Sequence, residues 1–401
     1  SRSLWPISMI VVLSQEVEPW LFTQNEEEYQ LGTVKCKELR AVLRPEENHI
    51  RVYVSDAGQA ERLPTYGHHI DCYIFESEST CNPEQLSAIK APAEGRQLLL
   101  CVDRADPTTI SALYFASSTS PSLSCIVEPV RLESDLYSRV QGIFESNDLK
   151  RKTVCVIGLG SGGSFGAVEL AKCGVGKFIL VDFDRLHTHN VTRHICGIGD
   201  VGRFKTRAVR DVILQHSPNA QVECWESDIT EDDQLLEQVV TGSDLVFAAT
   251  DNELSKYIIN DVCLSKSVPA VYGGVYERAF AGEVIRVIPG LTGCYACVRQ
   301  GLSKTTGSLT TPTELDYTDD ASMEAEPGLG LDVGFIASLH TKLALLTLLR
   351  GQDATTQDID SEMIIWVNSA RPEDGELFAT PLSRFFVRIP RVGDCPACGV
   401  V

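Results

Sequence analysis

A chain of 401 residues, 43% of them hydrophobic, is long enough for two domains that each bury a core. Its net charge of -20 excludes a nucleic-acid binder of the usual cationic kind and is read as a solubility feature. The apolar runs are predicted to fall short of a membrane span, and Leu4 to Leu13 has neither the basic lead nor the cleavage site of a signal peptide.

Residues 1–132 are expected to form a smaller α/β domain. Met9 to Leu13, Ile50 to Val54, Ile70 to Phe75, Leu98 to Val102 and Leu123 to Val127 read as strands, with a helix predicted over Thr108 to Ala116. No glycine loop accompanies them, so nucleotide binding is not expected here. His68-His69-x-Asp71-Cys72 invites a metal reading, but neighbouring histidines entering a strand point to opposite faces. Of the fourteen cysteines, most sit singly in apolar runs, as Cys101 and Cys155 do, which predicts reduced thiols and a cytoplasmic setting.

A helix and linker over Glu133 to Asn147, carrying Tyr137-Ser138-Arg139, lead into the second domain, residues 133–401. Here the apolar run Val154 to Ile157 opens into Gly158-Leu159-Gly160-Ser161-Gly162-Gly163, with a helix read over Ala167 to Cys173. A second apolar run, Phe178 to Val181, ends at Asp182-Phe183-Asp184. Strand, glycine turn, helix, strand and acid make half of a doubly wound Rossmann-like sheet. The turn lets a backbone approach phosphate at a helix N-terminus, and Asp182 stands 24 residues past Gly158, where a ribose hydroxyl is met. A dehydrogenase would serve this motif equally well. Asn190-Val191-Thr192-Arg193, then Lys205, then Thr250-Asp251-Asn252 after Leu245 to Ala248, favour a triphosphate under attack, with an acid placed to hold Mg²⁺.

Further along, Leu254 to Ser265 reads as a helix, Ala270 to Tyr272 as a strand before Gly273-Gly274, and Gly282 to Ile288 as another strand, with Glu283 and Arg286 on alternate faces. Cys294-x-x-Cys297 and Cys395-x-x-Cys398 have the spacing of two half-sites for one structural zinc; a redox pair is the alternative. Residues 301–331 form a long polar segment. A helix is predicted from Gly334 to Arg350, closed by Gly351, in which His340, Lys342 and Arg350 speak against a membrane span. Met363 to Val367 and Phe385 to Ile389 read as closing strands.

Taken in order, these motifs resemble the ThiF/MoeB and ubiquitin-activating superfamily over about residues 135 to 401. The resemblance implies an ATP-dependent adenylyltransferase acting on the C-terminal carboxylate of a ubiquitin-like or sulfur-carrier protein ending in Gly-Gly. Adenylation of a short peptide, a non-catalytic scaffold half and a nicotinamide oxidoreductase are the competing readings. It implies that Gly158, Gly160, Ser161, Gly163, Asp182, Asp184 and Asn252 line the nucleotide, with Asp182 on the ribose. Asn190, Arg193 and Lys205 would take the phosphates, and Asp251 the Mg²⁺. Arg139 would act from a neighbouring subunit of a homodimer. Residues 301–331 would cross over the active site, and the tail of the substrate protein would enter beside Gly273-Gly274. The first domain would be a degenerate adenylation-like copy. A downstream conjugating or sulfur-transfer enzyme is an expected partner. Relatives that capture the acyl group carry a cysteine in the crossover, but Ser322 to Ala325 has none. Direct transfer to an external nucleophile, capture by Cys196 or Cys263, and a thiol from a partner all stay open.

Overall fold

The computed structural model describes residues 146–305, 328–352 and 357–399 continuously and, before them, eight strands with a few neighbouring positions. The chain divides into two compact units, Ser1–Arg139 and Val140–Val401.

The described part of the first unit consists of strands β1 (Ile7–Leu13), β2 (Tyr29–Leu31), β3 (Val34–Pro45), β4 (His49–Asp56), β5 (His68–Ser77), β6 (Gln97–Asp103), β7 (Ile110–Phe115) and β8 (Leu123–Arg131). They run in the order β2-β3-β4-β1-β8-β7-β6-β5, and a further β3–β5 pairing closes seven of them into a ring. One expectation is corrected. Thr108 to Ala116 is not helical: Ile110–Phe115 pairs antiparallel with both β6 and β8. His68 and His69 open β5 as adjacent strand residues. Cys101 is disulfide-bonded, which overturns its reading as a lone reduced thiol.

The second unit is built on an eight-stranded sheet ordered β11-β10-β9-β12-β13-β14-β15-β16. Strands β9 (Thr153–Ile157), β10 (Lys177–Val181), β11 (Gln221–Trp225), β12 (Leu245–Ala248) and β13 (Ala270–Val275) are parallel. The others, β14 (Ala281–Val287), β15 (Met363–Val367) and β16 (Ser383–Val387), continue antiparallel. In β9 and β12 the central residues are buried on both faces, so the strands read as unbroken apolar runs.

Helices cover both faces. With Val154 and Val156 pack Ala167 and Leu170 of α2 (Ser161–Lys172), Ala208 of α3 (Lys205–His216) and Leu343 of α7 (Gly330–Leu348). Leu149 of the short α1 (Ser146–Lys150) joins this layer. With Cys155 and Ile157 pack Leu236 of α4 (Asp233–Thr241), Ile259 of α5 (Glu253–Lys266) and Val298 of α6 (Tyr295–Thr305). This is the doubly wound α/β architecture expected of the second domain. Helix α2 begins at Ser161, six residues earlier than predicted, and α7 begins at Gly330. By length and composition alone α7 could cross a membrane, contrary to the prediction that no run is long enough. It is here a core helix whose His340 is buried, hydrogen-bonded to the Val271 carbonyl at 2.8 Å and stacked on Phe247.

Candidate functional site

Strand order reverses about β9: the chain proceeds to β10 and β11 on one side, then returns to β12 and β13 on the other. The crevice outside the carboxyl ends of strands at such a reversal is where α/β sheets take ligands. The glycine turn sits in it. Gly158 has φ +85°, open to glycine and unfavourable to other residues. A Cβ on Gly163 would lie 1.9 Å from the Gly158 carbonyl oxygen, so the first turn of α2 is pressed onto the strand it follows. Gly160 is the N-cap of α2 and offers no side-chain cap, so the leading amides stay directed at the crevice.

Asp182, at the end of β10, is buried and holds this turn in shape. One carboxylate oxygen accepts the Leu159 N–H at 2.6 Å, and the other accepts the Asp184 N–H at 2.8 Å. Burial pushes its carboxyl up to about 6, against the opposing pull of Lys205 and these two amides. Lys205, itself buried at the start of α3, is ion-paired with Asp184 at 2.7 Å. Residues 184–186 also pair with 202–205 through Lys205 N to Asp184 O, Leu186 N to Arg203 O and Gly202 N to Leu186 O. The ends of the loop carrying Asn190 and Arg193 are thereby tied together.

Asn190 shapes that loop. Its side-chain oxygen accepts the His187 N–H at 2.9 Å, and its carbonyl accepts the amides of Arg193 and His194. His194 then docks the loop on the glycine turn. Its Nε2 lies 2.8 Å from the Leu159 carbonyl, and its Nδ1 accepts the Cys196 N–H at 3.0 Å. A carbonyl can only accept and an amide can only donate, so the ring is the neutral Nε2–H form. Burial accordingly lowers its pKa to about 4. The position of His194 next to Asn-x-x-Arg does not by itself reveal the contact with Leu159. The start of α7 meets the same loop, since a Cβ on Gly330 would lie 2.8 Å from the Thr192 carbonyl oxygen.

On the other side of β9, Ala249 follows β12 against the turn, 2.7 Å from a Cβ placed on Gly158. Asp251 and Asn252 come next and are exposed. The Asn252 side chain is spent on capping α5, accepting the amides of Leu254 and Ser255. Ser161 is the first residue of α2 and is half-buried. Arg139, exposed in a turn, belongs to the first unit.

The four Sγ atoms of Cys294, Cys297, Cys395 and Cys398 lie within 4.8 Å of one another. Three contacts are 3.8, 3.6 and 3.4 Å. Sulfurs about 2.3 Å from a tetrahedral zinc stand about 3.8 Å apart, so the quartet fits that ion. The Val392 N–H directed at Cys297 Sγ at 3.4 Å supports the cluster as an outer partner. Four thiolates would leave no open position, so an ion held here would be a clamp.

The other five cysteines of the second unit are poor nucleophiles. Cys196 and Cys263 are buried, and burial raises both thiols to about 12. Cys224 is raised by burial to about 11, and the thiols of Cys155 and Cys173 are raised as well. A thiolate is needed for attack, so the expectation that Cys196 or Cys263 could capture an acyl group is withdrawn.

Comparison with known proteins adds lineage to this geometry. Residues 137–360 match the model of the ThiF family. Ubiquitin-like modifier-activating enzyme 5 of Caenorhabditis elegans is 31% identical over 182 residues, covering 42% of this chain and 43% of that protein. The enzyme of the same name from Dictyostelium discoideum is 30% identical over 183 residues, covering 42% and 48%. The chain thus spans less than half the length of these curated relatives. Among solved structures, the microcin C7 biosynthetic enzyme MccB in complex with N-formylated MccA is similar in fold. That match has a TM-score of 0.51 at 19% identity and covers 67% of this chain and 76% of that one. With its family-wide match running from the turn before the first strand of the sheet to the segment beyond α7, the chain belongs to the ThiF family.

Proposed function

We propose that the second unit uses ATP to adenylate a terminal carboxylate, most specifically that of a ubiquitin-like or sulfur-carrier protein ending in Gly-Gly. The observation that carries this reading is the docking of the Asn190–His194 loop and the Lys205–Asp184 pair around a glycine turn pinned by Asp182. A hydride cofactor carries a diphosphate and has little use for that set of cations.

A substrate carboxylate oxygen would attack the α-phosphorus of ATP. The bond from that phosphorus to the bridging oxygen breaks, and pyrophosphate leaves with the electron pair. Both reactants are anions, so Lys205 and Arg193 offset their repulsion, and Arg139 of a second copy would add to them. No general base is needed because a carboxylate is ionised at neutral pH. Asp251, exposed just past β12, is the residue that fits Mg²⁺, which neutralises polyphosphate charge when bound. The raised thiols of the second unit favour release of the acyl adenylate to an external nucleophile or to a thiol on a partner, over internal capture.

The test is ATP–pyrophosphate exchange against a panel of small proteins and short peptides with free Gly-Gly ends. Exchange driven by one protein names the substrate; exchange driven by peptides alone favours the short-peptide alternative. Lys205→Ala and Asp251→Ala should abolish exchange; Asp251→Ala should melt as the parent does, while Lys205→Ala, which takes the buried partner from Asp184, should stay folded but melt lower. Silence of the parent across the panel would favour a scaffold, and full exchange in both variants would refute the assigned roles.

A further inference from the structure

Asp251 lies in the connection 249–252 between β12 and α5, and its neighbours are fastened on both sides. The Ala249 N–H donates to the Ile157 carbonyl at 2.8 Å, fixing the near end to β9. On the far side the Asn252 side chain accepts the Leu254 and Ser255 amides. The Ser255 hydroxyl meets the Thr250 hydroxyl and the Asn252 carbonyl, each at 2.6 Å. Residues 250–255 are thereby held as one piece, and Asp251 goes where that piece goes.

Those far-side bonds are local, so they do not set where the piece sits. Glu253, the first residue of α5, supplies a polar link to other elements. One carboxylate oxygen is paired with Arg299 Nε at 3.0 Å, and the other accepts the Tyr295 hydroxyl at 2.9 Å. Both partners belong to α6 and are anchored in turn. Tyr295 is fully buried, and its N–H donates to Asn260, two turns further along α5, at 2.9 Å. Its hydroxyl accepts from Arg299 at 2.7 Å, and the Arg299 guanidinium donates to the buried Glu283 of β14. The first turn of α5 is therefore braced against the middle of its own helix and against the sheet.

A glutamate in the first turn of a helix serves the helix dipole without any partner. Here both oxygens are engaged by a second helix, against the entropy of holding the side chain still. Charge-assisted bonds of this kind fix geometry as well as energy.

We infer that Glu253 is a positioning residue: held by Tyr295 and Arg299, it fixes the start of α5 and with it the place of the Asp251 carboxylate. This rests on the adenylation reading above, in which Asp251 takes the Mg²⁺, and adds the contact that sets the place of that acid. Mg²⁺ demands near-ideal octahedral geometry with ligands at about 2.0–2.1 Å. A displacement of about 1 Å in the first turn of α5 is then enough to lose the ligand, whereas Ca²⁺ accepts irregular sites at about 2.3–2.6 Å.

The test titrates ATP calorimetrically into the full chain at a series of Mg²⁺ concentrations starting from zero, and again with Ca²⁺. Glu253→Ala and Tyr295→Phe should each raise at least five-fold the Mg²⁺ concentration that half-maximally enhances ATP affinity, with parental affinity at zero Mg²⁺. The Ca²⁺ series should shift less. Glu253→Gln, which keeps an acceptor for the Tyr295 hydroxyl, should fall nearer the parent. Parental Mg²⁺ dependence in Glu253→Ala and Tyr295→Phe would overturn the inference. Equal shifts for both ions would do the same, as would joint losses of melting temperature and Mg²⁺-free affinity, which assign the contacts to structure alone. Asp251→Asn keeps the two readings apart. A shift there without one in Glu253→Ala sinks the inference alone, while parental behaviour in Asp251→Asn removes the metal role of the acid and the inference with it. ATP–pyrophosphate exchange by the parent judges the adenylation reading separately.

Discussion

Replacing Gly163 by alanine should separate the nucleotide cradle from the rest of the fold. The added Cβ would sit 1.9 Å from the Gly158 carbonyl oxygen and 3.1 Å from the Ala249 Cβ. The nearest atom is backbone, so no rotamer change relieves the clash, and ordinary contact requires the α2 N-terminus to retreat by more than about 1 Å. Overpacking of this kind costs about 1–3 kcal/mol, and a rigid carbonyl puts this case at the upper end. A shift of about 1 Å in groups that position a reactant costs about 10²-fold in rate. Gly162→Ala is the matched control. Its Cβ would meet nothing within 4 Å, and alanine is favoured over glycine in a helix by about 1 kcal/mol. Thermal melting and ATP–pyrophosphate exchange read both variants. Gly163→Ala should melt lower and lose about 10²-fold or more in exchange, while Gly162→Ala melts at or above the parent. Parental exchange and melting in Gly163→Ala would refute the claim that close approach of α2 to β9 builds the phosphate site.

Asp182→Asn leaves one of its two backbone donors without an acceptor, at a cost of about 1–3 kcal/mol, and should raise the KM for ATP. Two groups at the turn make opposite contributions to the pH profile of stability. Asp182 titrates at about 6 in the fold against 3.8, so its contribution is full below about pH 4 and is lost as pH rises through 6. His194 titrates at about 4 against 6.5, so its contribution is present above pH 6.5 and is lost as pH falls through 4. Their slopes oppose between pH 4 and 6; a His194→Gln variant should therefore melt higher relative to the parent as pH falls through this range, and a flat difference between the two would contradict the assignment. Cys395→Ser should lower zinc content, measured by atomic absorption, and melting temperature together, and a variant that keeps both would show that the quartet holds no structural metal.

Much of the second unit was legible because its signals are local. Four residues of β9, Val154 to Ile157, and four of β12 are apolar without interruption, and the glycine run has a steric reason. The cysteine quartet was legible from spacing alone. Misreadings arose where partners far along the chain decide. In Ile110–Phe115 residues 110, 112, 113 and 115 are buried, a near-helical rhythm in residues that pairing on both sides holds as a strand. The twelve residues of β3 went unread because Lys35, Lys37, Glu38, Arg40 and Arg44 mask its alternation. Helix α2 was begun late because glycines at 162 and 163 weaken helix propensity, which the packed turn overrides. The link from His194 to Leu159 spans 35 residues, so it does not appear in a linear pattern.

The sulfur quartet also orders events during translation. Cys395 follows Cys294 by 101 residues, and ribosomes add about 5–20 residues per second. For about 5–20 s after the first pair emerges it has no second pair to close with, and α6 and the antiparallel edge stay unfastened. The parallel strands around the glycine turn hold none of the four sulfurs and wait only for α7, whose Leu343 packs with Val154 and Val156. With zinc as the quartet's ion, a cell short of it would accumulate chains with a formed nucleotide crevice and a loose opposite edge, to be recognised by retained ATP binding and rapid proteolysis near Cys395.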